Sequence, residues 1–466
     1  MYECEPAVQR DFLERLVEGR AAPHPPVPGI AVWPPEAFRG PSPPADLYFY
    51  RPGELLVPTK QLADFTAAAA ALGPPLDYTP ASDSYVRPGE SSSDGNTYDA
   101  EGSYSDEASD RGESSYRTVA VPPSKFPKSV SRFQISNYTV PEALRLLREE
   151  SPDLRVTPNH VLFGCPNWAL EPIGDPSAPP ADQPPPQPGG GGKDIVVAIV
   201  DSGIPADRVG SALLDMPLVQ IFPGDSEPLN PTAITFPQGH GSFVAGVVRQ
   251  FAKDALVWSY RALDASSTTD EWALSNQLHD LMSFAGPAPR VINLSLGAYT
   301  FDNRDLLALR DLSNWAKNRT AGAPTAPIVV AAAGNNDSSR PFFPAASDWT
   351  ISVGAAERVE NDWWQKACFS DYNSDCGHWV DVCANGVGVA SAFPAGEYDP
   401  SFPPSVPVPM LNWWAIWNGT SFAAPQVSGV VASILAVDGP LGRDEVLVAL
   451  RARAYITVPS LGPLVQ

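Results

Sequence analysis

Short, continuous apolar runs punctuate the second half of the chain: IVVAIV (195–200), ALVWSYRAL (255–263), VINLSLG (291–297), PIVVAAAG (327–334) and TISVGA (350–355). Stretches of helical periodicity lie among them, such as EWALSNQLHDLMSFA (271–285) and RDLLALRDLSNWAKNR (304–319). Strands that are apolar at every position, not alternately, are covered on both faces, and helices between them make the crossovers. The pattern predicts an α/β unit over 195–466, a doubly wound, mostly parallel sheet with helices on both faces. In such sheets ligands gather outside the carboxyl ends of the strands, so the residues that end these runs carry the functional question.

The first part of the chain has a different texture. Residues 1–45 are rich in Pro and Ala and read as weakly ordered. LYFYRPGELLVP (47–58) then reads as a strand, and TKQLADFTAAAAAL (59–72) as a helix capped by Thr59. Residues 81–116 are almost all Ser, Gly, Asp, Glu and Tyr. Such a stretch buries too little apolar surface to offset its ordering entropy, so a disordered acidic loop is expected. SRFQISN (131–137) resumes as a strand, and VPEALRLLREES (140–151) as an amphipathic helix with Ala143, Leu144 and Leu147 on one face. LRVTPNHVLFG (154–164) closes the unit as a strand. Residues 46–165 are thus expected to form a small α+β, ferredoxin-like unit with the acidic insertion inside it. The Pro- then Gly-rich stretch within 166–194 reads as a linker between the two units.

Charge and cysteine content narrow the field. The chain has 31 Lys+Arg against 53 Asp+Glu, a net charge of −22, whereas a nucleic-acid partner would need clustered positive charge. No apolar h-region opens the chain and no uninterrupted apolar run reaches about 18 residues. Five cysteines are too few for a disulfide framework. The expectation is a cytoplasmic protein with no membrane partner.

Four strand or helix ends carry chemistry. Asp201 follows six apolar residues. His240 stands between two glycines at the start of a helix whose apolar face is Val244, Val247, Val248 and Phe251. Asn335 follows VVAAAG, and Ser421 lies at the mouth of WNGTSFAAPQVSGVVASILA (417–436). Singly these read as a turn Asp, a structural His, a turn Asn and a helix cap. Together they supply a nucleophile, a base, a carboxylate that orients the base and a donor for a developing oxyanion. Their order, Asp, His, Asn, Ser, belongs to one of three protease architectures with a common geometry. The stretches AIVDSGI, GHGSFVAG, VINLSLG, AAAGN and GTSFAAPQVSG resemble the subtilases, the subtilisin-like serine proteases, over about residues 195–436. Where that family usually has Gly-Thr-His after the histidine, this chain has Gly241-Ser242-Phe243.

The resemblance implies peptide-bond hydrolysis through an acyl-enzyme on an Asp201–His240–Ser421 triad, with Asn335 and the Ser421 amide holding the oxyanion. It implies a peptide or protein substrate paired along Ser295, Leu296 and Gly297. A roomy apolar side-chain pocket would be bordered by Ala332, Ala333 and Gly334, with Phe343-Pro344 matching a cis proline beside it. The N-terminal unit resembles a subtilase propeptide, an intramolecular inhibitor and chaperone, with cleavage expected between Cys165 and Asp194. No cofactor or metal site is read. Calcium is frequent in the family but has no nameable ligands here, and Cys368, Cys376 and Cys383 are spaced too widely for zinc. Cys368 and Cys376 could pair across a hairpin under oxidation. Two other readings compete: a catalytically silent peptide-binding relative, and a protease kept latent until a partner releases it.

Overall fold

The computed structural model describes residues 30–34, 46–81, 128–164, 174–206, 211–215, 218–222, 224–229, 233–235, 237–284, 286–317, 326–359, 362–375, 377–399, 407–410 and 412–466. The expected acidic loop falls outside these residues beyond Ala81, as does almost all of 1–45.

The N-terminal unit is built from β1 (Ala31–Trp33), β2 (Tyr48–Pro58), α1 (Leu62–Ala71), β3 (Tyr78–Pro80), β4 (Val130–Ile135), α2 (Val140–Glu150) and β5 (Thr157–Phe163). Its strands run β5-β2-β4-β3, antiparallel throughout, with β1 beside the first part of β2. That is the split βαβ order expected, with the acidic insertion between the neighbouring strands β3 and β4. Helix α2 forms because Val140, Ala143, Leu144 and Leu147 recur on one face and Pro141 pre-sets its first turn. Those four side chains are buried beside Leu55, Val57, Phe65 and Phe133. Full burial of Leu144 and Leu147 stabilises the unit by about 1.5–3 kcal/mol each. Thr59 caps no helix. It begins a single 3-10 turn, and its hydroxyl donates to Lys128 O across the unit.

The second unit contains β6 (Val196–Asp201), β7 (Val219–Ile221), β8 (Ile234–Thr235), α3 (His240–Phe251), β9 (Leu256–Arg261), β10 (Thr268–Asp270), α4 (Glu271–Ser283), β11 (Val291–Leu294) and α5 (Arg310–Lys317). There follow β12 (Ile328–Ala332), β13 (Thr350–Arg358), β14 (Trp364–Lys366), β15 (Val382–Asn385), α6 (Thr420–Asp438) and α7 (Arg443–Arg453). The main sheet runs β14-β13-β12-β11-β6-β9-β7, with β15 also on β13. All pairings are parallel except β14 on β13. Helices α3, α6 and α7 pack on one face and α4 and α5 on the other, which is the doubly wound arrangement the apolar runs call for.

Helix α6, although polar residues interrupt it, is long and apolar enough, by length and composition, to cross a membrane. Here 78 % of its apolar window is buried inside the fold, so the stretch serves as the central core helix.

The expected linker is not a free tether over residues 174–194. Ser177 exchanges backbone hydrogen bonds with Ile416, Trp417 Nε1 donates to Gly174 O, and Lys253 N donates to Gly189 O. A Cβ on Gly190 (φ +70°) would collide with the Phe251 carbonyl, so this glycine serves close approach and not slack.

Candidate active site

Asp201 is the last residue of β6, at the carboxyl edge of the sheet, and is wholly buried. Its Oδ1 accepts from the Ser202 amide at 2.7 Å and lies 2.7 Å from His240 Nδ1. His240 opens α3 and is likewise buried. A Cβ on Gly241 would collide with the Gly203 backbone. The turn after β6 and the start of α3 therefore touch at a spot that only glycine allows, and that contact brings carboxylate and imidazole together. The ring of His240 lies 5.3 Å from Phe422 and stands edge-on to Trp417 at 5.8 Å. Its Nε2 is buried with no hydrogen-bond partner.

Ser421 sits in the first turn of α6, after Gly419. The carbonyl of a helical residue normally accepts from the amide four positions on, but that position is Pro425, which has none. Ser295 Oγ donates to the Ser421 carbonyl instead, at 2.8 Å, and is itself held by Asn293 Nδ2 at 2.9 Å. Asn293 Oδ1 accepts from Ser428 on the same helix. Ser295, expected only as a main-chain partner for substrate, thus anchors the helix that carries Ser421. Asn335, just beyond β12, accepts from the Thr420 amide and hydroxyl at 2.8 and 2.7 Å. Its Nδ2 is buried and unpartnered, a spare donor one residue from Ser421.

The Ser421 hydroxyl does not bond His240. It donates to Gly164 O at 3.2 Å, a carbonyl from the N-terminal unit. Strand β5 reaches this point by pairing on both edges. Gly297 exchanges two backbone hydrogen bonds with Phe163, at 2.9 and 3.0 Å, and Ser267 O accepts from the Gly164 amide. Beyond that, β10 pairs antiparallel with Val161–Phe163. The N-terminal unit therefore lies in the cleft that the sequence assigns to substrate.

Other contacts fix it there. His160 Nδ1 lies 2.7 Å from Glu271 Oε2, both side chains almost wholly buried. The Phe301 amide donates to His160 Nε2, so the ring proton is on Nδ1 and points at the carboxylate. Arg340 reaches the Leu47 carbonyl from the other unit.

The expected roomy pocket is corrected. Phe342 is buried, and its ring lies against both Gly297 and Gly334, filling the space between them. Leu296, Ala332 and Ala333 are themselves buried in the surrounding core clusters. Behind Gly334 lies Asp371, wholly buried and pushed up to about 7 by desolvation, although Asn336, Ser338 and Tyr299 donate to it. The Phe343–Pro344 bond is cis. Cys368 is exposed and Cys383 is a free, buried thiol, while Cys376 lies outside the described residues. Among those residues no cluster of His, Cys, Asp or Glu could hold a metal ion.

Comparison with known proteins gives the family of the chain. Residues 192–455 match the profile of the subtilase family, peptidase S8; that is over half the chain, which belongs to this family. A thermophilic serine proteinase of Bacillus sp. (strain AK1) is 30% identical over 256 residues, 52% of this chain and 52% of that protein. Thermitase of Thermoactinomyces vulgaris is 29% identical over 293 residues, 61% of this chain and 86% of that one. The chain thus spans about half the length of the Bacillus relative. In fold it is similar to fervidolysin from Fervidobacterium pennivorans, a keratinolytic enzyme related to subtilisin. The TM-score is 0.55 at 16% identity, covering 90% of this chain and 60% of the other. That likeness, which is one of fold, runs beyond residues 192–455.

Proposed function

We propose that the chain is a serine endopeptidase whose own N-terminal unit occupies and inhibits its cleft. The observation that carries the proposal is β5, hydrogen-bonded on both edges, with the Gly164 carbonyl against the Ser421 hydroxyl and the Asp201–His240 pair beside it.

When a substrate carbonyl replaces that of Gly164, the Ser421 hydroxyl is free to turn to the unpartnered Nε2 of His240. The imidazole takes the Oγ proton as Oγ attacks the carbonyl carbon. Asp201 keeps the Nδ1 tautomer and stabilises the imidazolium. Asn335 Nδ2 and the Ser421 amide receive the oxyanion. The imidazolium then protonates the leaving amine, and water, deprotonated by the same ring, hydrolyses the ester. Substrate is held by strand pairing at Gly297 and β10, which recognises main chain more than side chain. The side-chain contacts that β5 makes, above all His160–Glu271, favour a second reading of the inhibitory unit: a latch that stays docked until a partner releases it.

The test is the intact mass of wild type beside Ser421→Ala, each treated with a fluorophosphonate. The proposal expects wild type to be labelled and shortened between Cys165 and Asp194, and the variant to be neither. Full-length wild type that is labelled only once the N-terminal unit is removed would favour the latch. Unlabelled wild type, even after the N-terminal unit is removed by mild proteolysis, would refute the hydrolase.

A further inference from the structure

Glu227 belongs to none of the motifs above, yet it is buried beside them (6% exposed). The Gly239 amide donates to its carboxylate, 3.1 Å from both oxygens, and the Ser202 hydroxyl faces it. Ser202 Oγ in turn accepts from the Gly241 amide at 3.0 Å. The carboxyl group thus holds the residue before His240 directly, and the hydroxyl it faces holds the residue after. Its own amide donates to Ile204 O at 3.0 Å, which ties it to the turn that carries Asp201. Helix α3 has no side-chain cap and no acidic residue in its first turn, so Glu227 supplies from a distant segment the acceptor those amides need.

From these contacts we propose that Glu227 is a positioning residue for the catalytic base, fixing the start of α3 against the Asp201 turn so that Nδ1 of His240 stays on Asp201 while Nε2 stays free for the nucleophile. This rests on reading His240 as the base.

The clamp also ties the site to pH. The charged groups facing Glu227 are Asp201 at the end of β6 and Arg261 at the end of β9, with Asp225 on its own segment and His240 across the amides it holds. Burial pushes its carboxyl up to about 8, against the pull of the Gly239 and Ser202 bonds and of Arg261. In the protonated form one oxygen accepts from Gly239 and the acid proton goes to Ser202 Oγ. In the ionised form both contacts donate to it. Either form keeps the geometry, but ionisation adds a negative charge beside Asp201, which the nearby His240 ring senses. A glutamine side chain reproduces the protonated form, with an amide oxygen towards Gly239 and an amide hydrogen towards Ser202.

The chain has five histidines, so selective ¹⁵N-histidine labelling of full-length Ser421→Ala gives few imidazoles, and His240→Gln assigns the one needed. We expect the His240 ring shifts to report a step near pH 8 as Glu227 ionises, and this step to vanish in Glu227→Gln with the downfield Nδ1 proton retained. In Glu227→Ala that proton signal should be lost or move upfield. With Ser421 restored and the N-terminal unit removed, the fluorophosphonate labelling rate per folded molecule should fall at least tenfold. Superimposable His240 titrations in the parent and in Glu227→Gln, or an unshifted Nδ1 proton in Glu227→Ala, overturn the inference. If those His240 signatures hold but wild type gives no Ser421 labelling, the protease reading fails while the contact stands.

Discussion

His160→Ala should open the cleft. His160 is on β5 and belongs to the N-terminal unit, whereas its partners Glu271 and the Phe301 amide belong to the second unit. When the units part, Glu271 meets water and loses little. When they are docked without the imidazole, Glu271 Oε2 and the Phe301 amide are buried without that partner, although Oε1 still accepts from the Ala308 amide. Removing one partner of a buried, hydrogen-bonded pair costs about 3–5 kcal/mol, and this cost falls on docking. At about 1.4 kcal/mol per tenfold, the open fraction should rise by roughly two to three and a half orders of magnitude. Fluorophosphonate labels only the open form, so its initial rate on full-length chain, normalised to folded protein, reports that fraction. A rise of less than threefold would show that the pair does not hold the units together and would refute the reasoning.

Asn335→Ala removes the spare donor and should lower turnover by about 10²–10³ with KM little changed; steady-state kinetics on the mature form decides it. Gly241→Ala drives a methyl group into the Gly203 backbone, and a displacement of about 1 Å at His240 should cost about 10² in rate, read by the same kinetics on folded chain. Asp371, raised to about 7 from an ordinary carboxylate value near 4, binds its proton more tightly when folded. Its contribution to stability is therefore full below about pH 4 and is lost as pH rises through 7. In the Ser421→Ala background, melting temperature should fall more steeply between pH 5 and 8 with Asp371 than in Asp371→Asn; parallel curves would refute the shift.

The residues proposed to carry catalysis were legible because each stands at the end of an apolar run whose period betrays its element. Asp201 closes six buried strand residues, His240 opens a helix with an apolar stripe, and Ser421 lies at the start of a helix buried nearly all round. What escaped depends on partners far along the chain. Strand β10, three residues long and polar, is paired only because β5 arrives beside it. Glu227 acts through backbone amides, which leave no residue pattern. Phe342 closes the pocket through the direction of its side chain, which small neighbours at 332–334 cannot foretell. The stretch over 178–194 reads as slack from composition alone, yet Gly190 is there to let two backbones meet.

The pairing of β5 with β10 makes one sheet continuous across two units. Separation cuts that sheet along a ladder and leaves a raw edge on each side, with unpaired amides and carbonyls at a spacing any extended chain can match. On the catalytic side such an edge is what a peptide needs to dock. On the N-terminal side it belongs to a strand buried at every position while docked, so the freed unit would be adhesive. Its removal after release would then be as much a matter of preventing aggregation as of keeping the cleft open.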